Sequence, residues 1–264
     1  MNDGLPADDC VIVIVGGMGP MAGLKCFEYV MSNSITNGTD QDNLSVLALS
    51  FPKNIGDRTE YVLDRTNPNP AQSVLQFLIP QLKPLSSLYK RIVLGVPCIT
   101  FHCPCIFSAF EGILQESFPN VSVVSIVSET VCHICSHYPD AARIGIMSTN
   151  GTRKVKPFQS KMNEAGKQMV YLSDDQQEIV TQCIFNTEWG IKSQRYDRKH
   201  VHGLLCRVMD DLVANHCDAI ILGCTEIPLA IEEAEYRAIP IINPLLIMAR
   251  TMIQKADASK LRMQ

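Results

Sequence analysis

"VIVIVGGMGP", residues 11–20, runs through five β-branched residues without a polar interruption and ends in glycines and a proline. A strand with one wet face alternates apolar and polar side chains, so an unbroken apolar run marks a strand buried on both faces, as in a parallel sheet covered by helices. The residues that follow, "MAGLKCFEYVMSN" at 21–33, have helical periodicity. A strand, a tight turn and a helix open a βαβ unit.

The alternation continues along the chain. Strands are expected in "LSVLALSFP" (44–52), "KRIVLGVPCIT" (90–100), "VSVVSIV" (121–127), "RIGIMSTNGT" (143–152), "KQMVYLS" (167–173), "DAIILGCTE" (218–226) and "AIPIINP" (238–244). Helices are expected over 70–89, 107–118, 128–138, 176–189, 198–216 and 245–256, with "GDRTEYV" (56–62) in a loop and a polar, frayed tail at the end. This pattern predicts an α/β fold of mainly parallel sheets flanked by helices.

The chain also repeats itself coarsely. "VIVIVGGMGP" corresponds to "RIGIMSTNGT", and "RIVLGVPCIT" to "AIILGCTEIP"; Gly16 precedes Cys98 by 82 positions, and Met147 precedes Cys224 by 77. Two similar spacings predict two pseudo-symmetric lobes: residues 8–122, joined by the C-terminal segment 238–264, and residues 123–237. Ligands of parallel sheets collect at the carboxyl ends of strands, where Cys98 and Cys224 are expected. Facing lobes would then bring two thiols to one cleft.

Composition narrows the class of partner. With 264 residues, 46% of them apolar, the chain can bury a large core, and a net charge of -4 gives no general affinity for nucleic acid or anionic membranes. The sequence lacks a signal-peptide pattern and an apolar stretch long enough for a bilayer, so the expectation is a cytoplasmic protein with a small-molecule partner. Its 11 cysteines are therefore read as mostly free thiols, those at 10, 26, 183, 206 and 217 as small hydrophobes. "FHCPC" (101–105) and the CxxC spacing of Cys132 and Cys135 invite a metal reading, but the spacing does not define the second pair that a closed zinc site needs, and the strand-to-helix setting of a redox CxxC is absent. No metal is expected.

Two thiols on opposite sides of a carbon can invert it. One, as thiolate, removes a proton from one face, and the other, as thiol, returns a proton to the opposite face. A free cysteine ionises near ~8.5, within reach of tuning by a helix start or a nearby cation. "CIT" and "CTE" both stand where a strand is expected to hand over to a helix, so backbone N–H groups are expected to face an anion there.

The chain resembles the cofactor-independent aspartate/glutamate racemases through "GGMGPMAG", "DRT" at 57–59, "VPCIT" with His102, "STNGT", "WGIKS" and "LGCTEIPL", in that family's order from residue 16 to 229. The resemblance implies two α/β lobes with substrate between them, Cys98 and Cys224 as the two acid–base residues, no pyridoxal phosphate or metal, and a homodimer. It implies further that Arg58 and Lys192 hold the side-chain carboxylate of an acidic amino acid, a match of fork and point charge to an anion. Met18, Ile99, Thr100, Thr149, Thr225 and Glu226 are implied to line the substrate pocket. Glu226, where related glutamate racemases carry histidine, points to the aspartate racemase branch.

Two positions depart from the family pattern. Ile99 stands where the family has asparagine after the first cysteine, and Gly23 where threonine is common. A lost bond to a charged group is worth about 1.5–3 kcal/mol, so Ile99 raises the alternative of a ligand-binding protein of this fold with altered specificity or no turnover.

Overall fold

The computed structural model describes residues 9–65 and 67–263; the expected start of the first lobe, residue 8, lies outside them. The run that opens the chain forms β1 (Cys10–Gly16), every residue buried, followed by α1 (Pro20–Ser32) with proline in its first turn. Then come β2 (Val46–Ser50), α2 (Arg58–Asp64), α3 (Pro70–Leu88), β3 (Arg91–Gly95), α4 (Pro104–Ser117) and β4 (Val121–Val124). The second half contains α5 (Ile126–His137), β5 (Arg143–Ser148), α6 (Asn150–Val155), α7 (Gln159–Glu164), β6 (Gln168–Tyr171), α8 (Asp174–Phe185), α9 (Arg198–Ala214) and β7 (Ala219–Gly223). It ends with β8 (Glu235–Tyr236), β9 (Ile239–Ile242) and α10 (Pro244–Ala256).

Two sheets result, ordered β2-β1-β3-β4 and β6-β5-β7-β9-β8. All pairings are parallel except β8 with β9. In each sheet the chain steps from its first strand to one side, then returns to the other side, so the β1/β3 and β5/β7 junctions are the points where connections reverse. Such switch points leave a crevice beyond the strand ends.

Three apolar clusters hold this arrangement. One packs the first sheet against α3 and α4 through Val13, Leu78, Leu94 and Phe110. Another packs the second sheet against α8 and α9 through Ile184, Leu205, Met209 and Ile220. The third is shared: Ile12, Ile14 and Val93 of the first sheet and Ile144, Ile146 and Ile221 of the second bury against Ile134 of α5 and Met248, Met252 and Ile253 of α10. Burying a side chain of this size contributes about 1.5–3 kcal/mol, and a shared cluster couples the two sheets.

Several boundaries differ from the sequence reading. The division at 122/123 falls inside β4. Of the segment 238–264, β9 pairs with β7 in the second sheet while α10 packs on α1, α5, β1 and β3. The "GDRTEYV" segment is not all loop: Asp57 accepts from the Glu60 N–H and caps α2. The polar tail is pinned, not frayed. Lys260 Nζ bonds the Asp42 carbonyl (2.7 Å) and its carboxylate, and the Arg262 N–H donates to the Asn33 carbonyl. Gly23, in place of threonine, lets α1 lie on β1, since a Cβ there would stand 3.2 Å from the Gly16 Cα.

Of the cysteines, Cys103 and Cys105 are paired, Cys26, Cys183 and Cys217 are buried free thiols, and Cys10 is buried in β1. Cys206 is only half-buried and Cys132 is exposed. Among the described residues no group of three or more His, Cys, Asp or Glu converges as a metal site requires, and no helix is long and apolar enough to cross a membrane.

Candidate active site

Loops beyond the ends of β1, β3, β5 and β7 meet around one pocket. From the first half of the chain, Met18, Arg58, Cys98, Ile99 and Thr100 line it, with Asp57 and Thr59 beside them. From the second half come Thr149, Lys192, Cys224, Thr225 and Glu226, with Phe185 and Gly223. All ten residues singled out from the sequence therefore share one cavity. Asp57 and Thr59 flank Arg58 within the "DRT" motif and were legible there; nothing in the sequence marked Phe185.

The turn after β1 is built for close approach. Gly17 has φ +99°, and a Cβ on it would lie 2.9 Å from the Phe51 backbone nitrogen. A Cβ on Gly19 would lie 2.2 Å from Glu226 Oε1, so this turn presses its bare backbone against the carboxylate. The Met18 carbonyl accepts from Arg58 Nη2 (3.3 Å) and the Gly56 carbonyl from Nη1 (3.1 Å). Arg58 Nε is buried without a partner, and among the described residues no carboxylate lies within ion-pair distance of this guanidinium.

Lys192 reaches the pocket from a loop folded back on the end of α8. The Ile191 and Lys192 N–H groups donate to the Cys183 and Ile184 carbonyls (2.8 and 3.2 Å). Gly190 permits this, because a Cβ there would stand 2.7 Å from the Asn186 carbonyl oxygen. The Lys192 ammonium lies 4.5 Å from the centre of the Phe185 ring and 3.1 Å from Glu226 Oε2. Glu226 is almost fully buried, whereas Lys192 is 30% exposed.

The cysteines differ in setting from the sequence expectation. Cys224 directly follows β7, but Cys98 lies three residues past the end of β3, with its N–H donating to the Val96 carbonyl (2.8 Å). The helices expected after them are single 3-10 turns, Thr100–His102 and Ile227–Leu229, too short for a substantial helix dipole. Arg58 and Lys192 bring two cations to the same pocket.

Burial pushes the Cys224 thiol up to about 12, the Glu226 carboxylate adds to the rise, and Lys192 opposes it. Cys224 is thus a protonated thiol at neutral pH. In Glu226→Gln the anionic neighbour is gone and Lys192 remains, so the Cys224 midpoint is expected to fall toward the ordinary thiol range. The pH profile of Cys224 alkylation, read by peptide mass spectrometry, checks this; an unchanged or higher midpoint would contradict it.

His102 is buried beside Cys98, stacked on Phe107 at 4.3 Å, with Nδ1 2.9 Å from the Cys98 carbonyl. The Val124 carbonyl favours the protonated ring, yet Nε2 completes no hydrogen bond. Burial dominates and brings His102 down to about 4; His133 is also lowered to about 4, by burial and then by His137 and Arg250. A histidine that is harder to protonate when folded stabilises the fold above its unfolded value near 6.5, and that stability is lost as pH falls toward 4. The urea midpoint is therefore expected to drop between pH 6.5 and 4, less steeply in His102→Gln.

Ile99 is 2% exposed and packs into the shared core as well as lining the pocket. The pocket is narrow, with a free cavity volume of about 20 Å3.

Residues 15–252 match the family model for Asp/Glu/hydantoin racemases. The chain belongs to that family. It is 27% identical over 172 residues to the glutamate racemase of Carboxydothermus hydrogenoformans, a match covering 64% of this chain and 59% of that protein. Among solved structures, the fold is similar to that of Picrophilus torridus aspartate racemase (TM-score 0.77, 22% identity, 96% of each chain). It is also similar to an aspartate racemase homologue from Pyrococcus horikoshii (TM-score 0.65, 20% identity, 93% of this chain and 98% of the other). Membership of the racemase family and the two-sheet fold agree with the sequence reading.

Proposed function

We propose that this racemase-family chain inverts the α-carbon of an acidic amino acid, aspartate or glutamate, by a two-base reaction that uses Cys98 and Cys224 and no cofactor. The observation that carries the reading is the single pocket lined by both cysteines, from corresponding positions in the two halves of the fold, together with Arg58, Lys192 and Glu226. One thiolate takes the α-proton, the carbon becomes a carbanion, and the thiol on the opposite face gives its proton to that carbon. The two sulfurs have then exchanged protonation states.

The charges in the pocket match a zwitterion with an extra carboxylate. The ammonium of Lys192 and the carboxylate of Glu226 now satisfy each other. An amino acid carries both charges, so its carboxylate can take Lys192 while its ammonium takes Glu226, and neither protein charge is left desolvated. Arg58, without an anionic partner among the described residues, receives the second carboxylate as a fork. The place of Glu226 after the Cys-Thr pair makes aspartate the first candidate. A homodimer belongs to the same reading.

The test is incubation with each enantiomer of aspartate and glutamate in deuterated buffer, followed by chiral chromatography and mass spectrometry. Interconversion with deuterium at the α-carbon is expected from either enantiomer. Calorimetric binding without either signal would favour the alternative raised by Ile99, a racemase-fold binding protein.

A further inference from the structure

We propose that Thr225 is a positioning residue that sets the separation of the two pocket thiols, by tying the loop of Cys224 to the loop of Cys98 through one buried hydrogen bond. The inference rests on the two-base reading above. The Thr225 hydroxyl donates to the Pro97 carbonyl at 2.9 Å, across 128 positions of sequence. Thr225 directly follows Cys224, and the Pro97 carbonyl belongs to the peptide unit that enters Cys98. The bond therefore joins the two cysteine segments with almost no intervening chain.

Around Cys98 every backbone polar group is engaged. The preceding carbonyl accepts from Thr225, the Cys98 N–H donates to Val96, and the Cys98 carbonyl faces His102 Nδ1. Of these, only the Thr225 bond comes from the other half of the chain, so it registers Cys98 against Cys224 where the other two merely shape the local turn.

The same bond limits what else the hydroxyl can do. A threonine hydroxyl has one hydrogen to give, and here it goes to Pro97; what remains are lone pairs, which accept from an ammonium but repel a carboxylate. Thr225 is 4% exposed, so turning its hydroxyl away would leave the Pro97 carbonyl buried and unpaired. Thr100 is different: its hydroxyl sits within reach of both Thr149 (3.3 Å) and Thr152 (2.9 Å), a cluster that can redistribute its hydrogens and still keep its members satisfied.

Thr225→Val removes the hydroxyl at nearly constant volume, and Thr225→Ser restores it. A thiol displaced by a fraction of an ångström to 1 Å is expected to lower kcat roughly ten- to a hundredfold. KM should change by less than about threefold, Ser should recover most of kcat, and iodoacetamide should label Cys98 several-fold faster in the Val variant than in the wild type. A tenfold rise in KM with kcat retained would overturn the proposal in favour of a substrate contact, as would failure of Ser to rescue. Unchanged Cys98 labelling in Thr225→Val would overturn the tie even in a protein that racemises nothing, which separates this inference from the functional reading. Should Thr225→Val not fold, Thr225→Ala against Thr225→Ser decides by the same readouts.

Discussion

Alanine at Cys98 or at Cys224 is expected to reduce racemisation by about 10²–10⁴-fold, the scale of removing a positioned acid or base. The two variants should nevertheless fail differently. With one sulfur left, a proton can still be removed from the face that sulfur addresses and returned to the same face, so one enantiomer exchanges its α-hydrogen with solvent without inverting. The other variant should exchange the opposite enantiomer. Proton NMR in deuterated buffer reads exchange, and chiral chromatography reads inversion. Full inversion in either variant would remove the two-thiol mechanism, and exchange of the same enantiomer by both would show that the sulfurs do not address opposite faces.

The strands were legible because their apolar runs are long and β-branched, and the repeat placed β1 against β5 and β3 against β7 before any coordinates. The short α2 was not: seven residues carry less than two full periods, and its signal is the capping Asp57 alone. The pinned tail depends on a contact between Lys260 and Asp42, 218 positions apart, which no local pattern encodes. The pocket residues were legible by motif, yet the partners of their side chains were not. The Lys192–Glu226 pair and the Phe185 ring beside Lys192 are through-space relations within the second half, and the Thr225–Pro97 bond forms only when the two halves meet. Helix starts beyond the cysteines were over-read, since strand-to-helix grammar does not distinguish a single 3-10 turn from a helix.

Replacing Lys192 by methionine is expected to damage two things that a second substitution can separate. The first is affinity: a charge-assisted bond to the substrate carboxylate is worth about 1.5–3 kcal/mol, so kcat/KM for the acidic amino acid should fall roughly ten- to a hundredfold, mainly through KM. The second is stability. Glu226 is left as a carboxylate in the protein interior with its cation removed, a change that costs about 3–5 kcal/mol where both partners are buried, and less here because Lys192 is 30% exposed. Urea unfolding reads this loss as a lower midpoint than the wild type's. In Lys192→Met/Glu226→Gln the buried charge is gone, so stability should return while the affinity loss remains. A double variant as unstable as the single one would mean that Lys192 supports the fold by packing on Phe185, and a single variant with unchanged KM would take the substrate carboxylate away from Lys192 altogether.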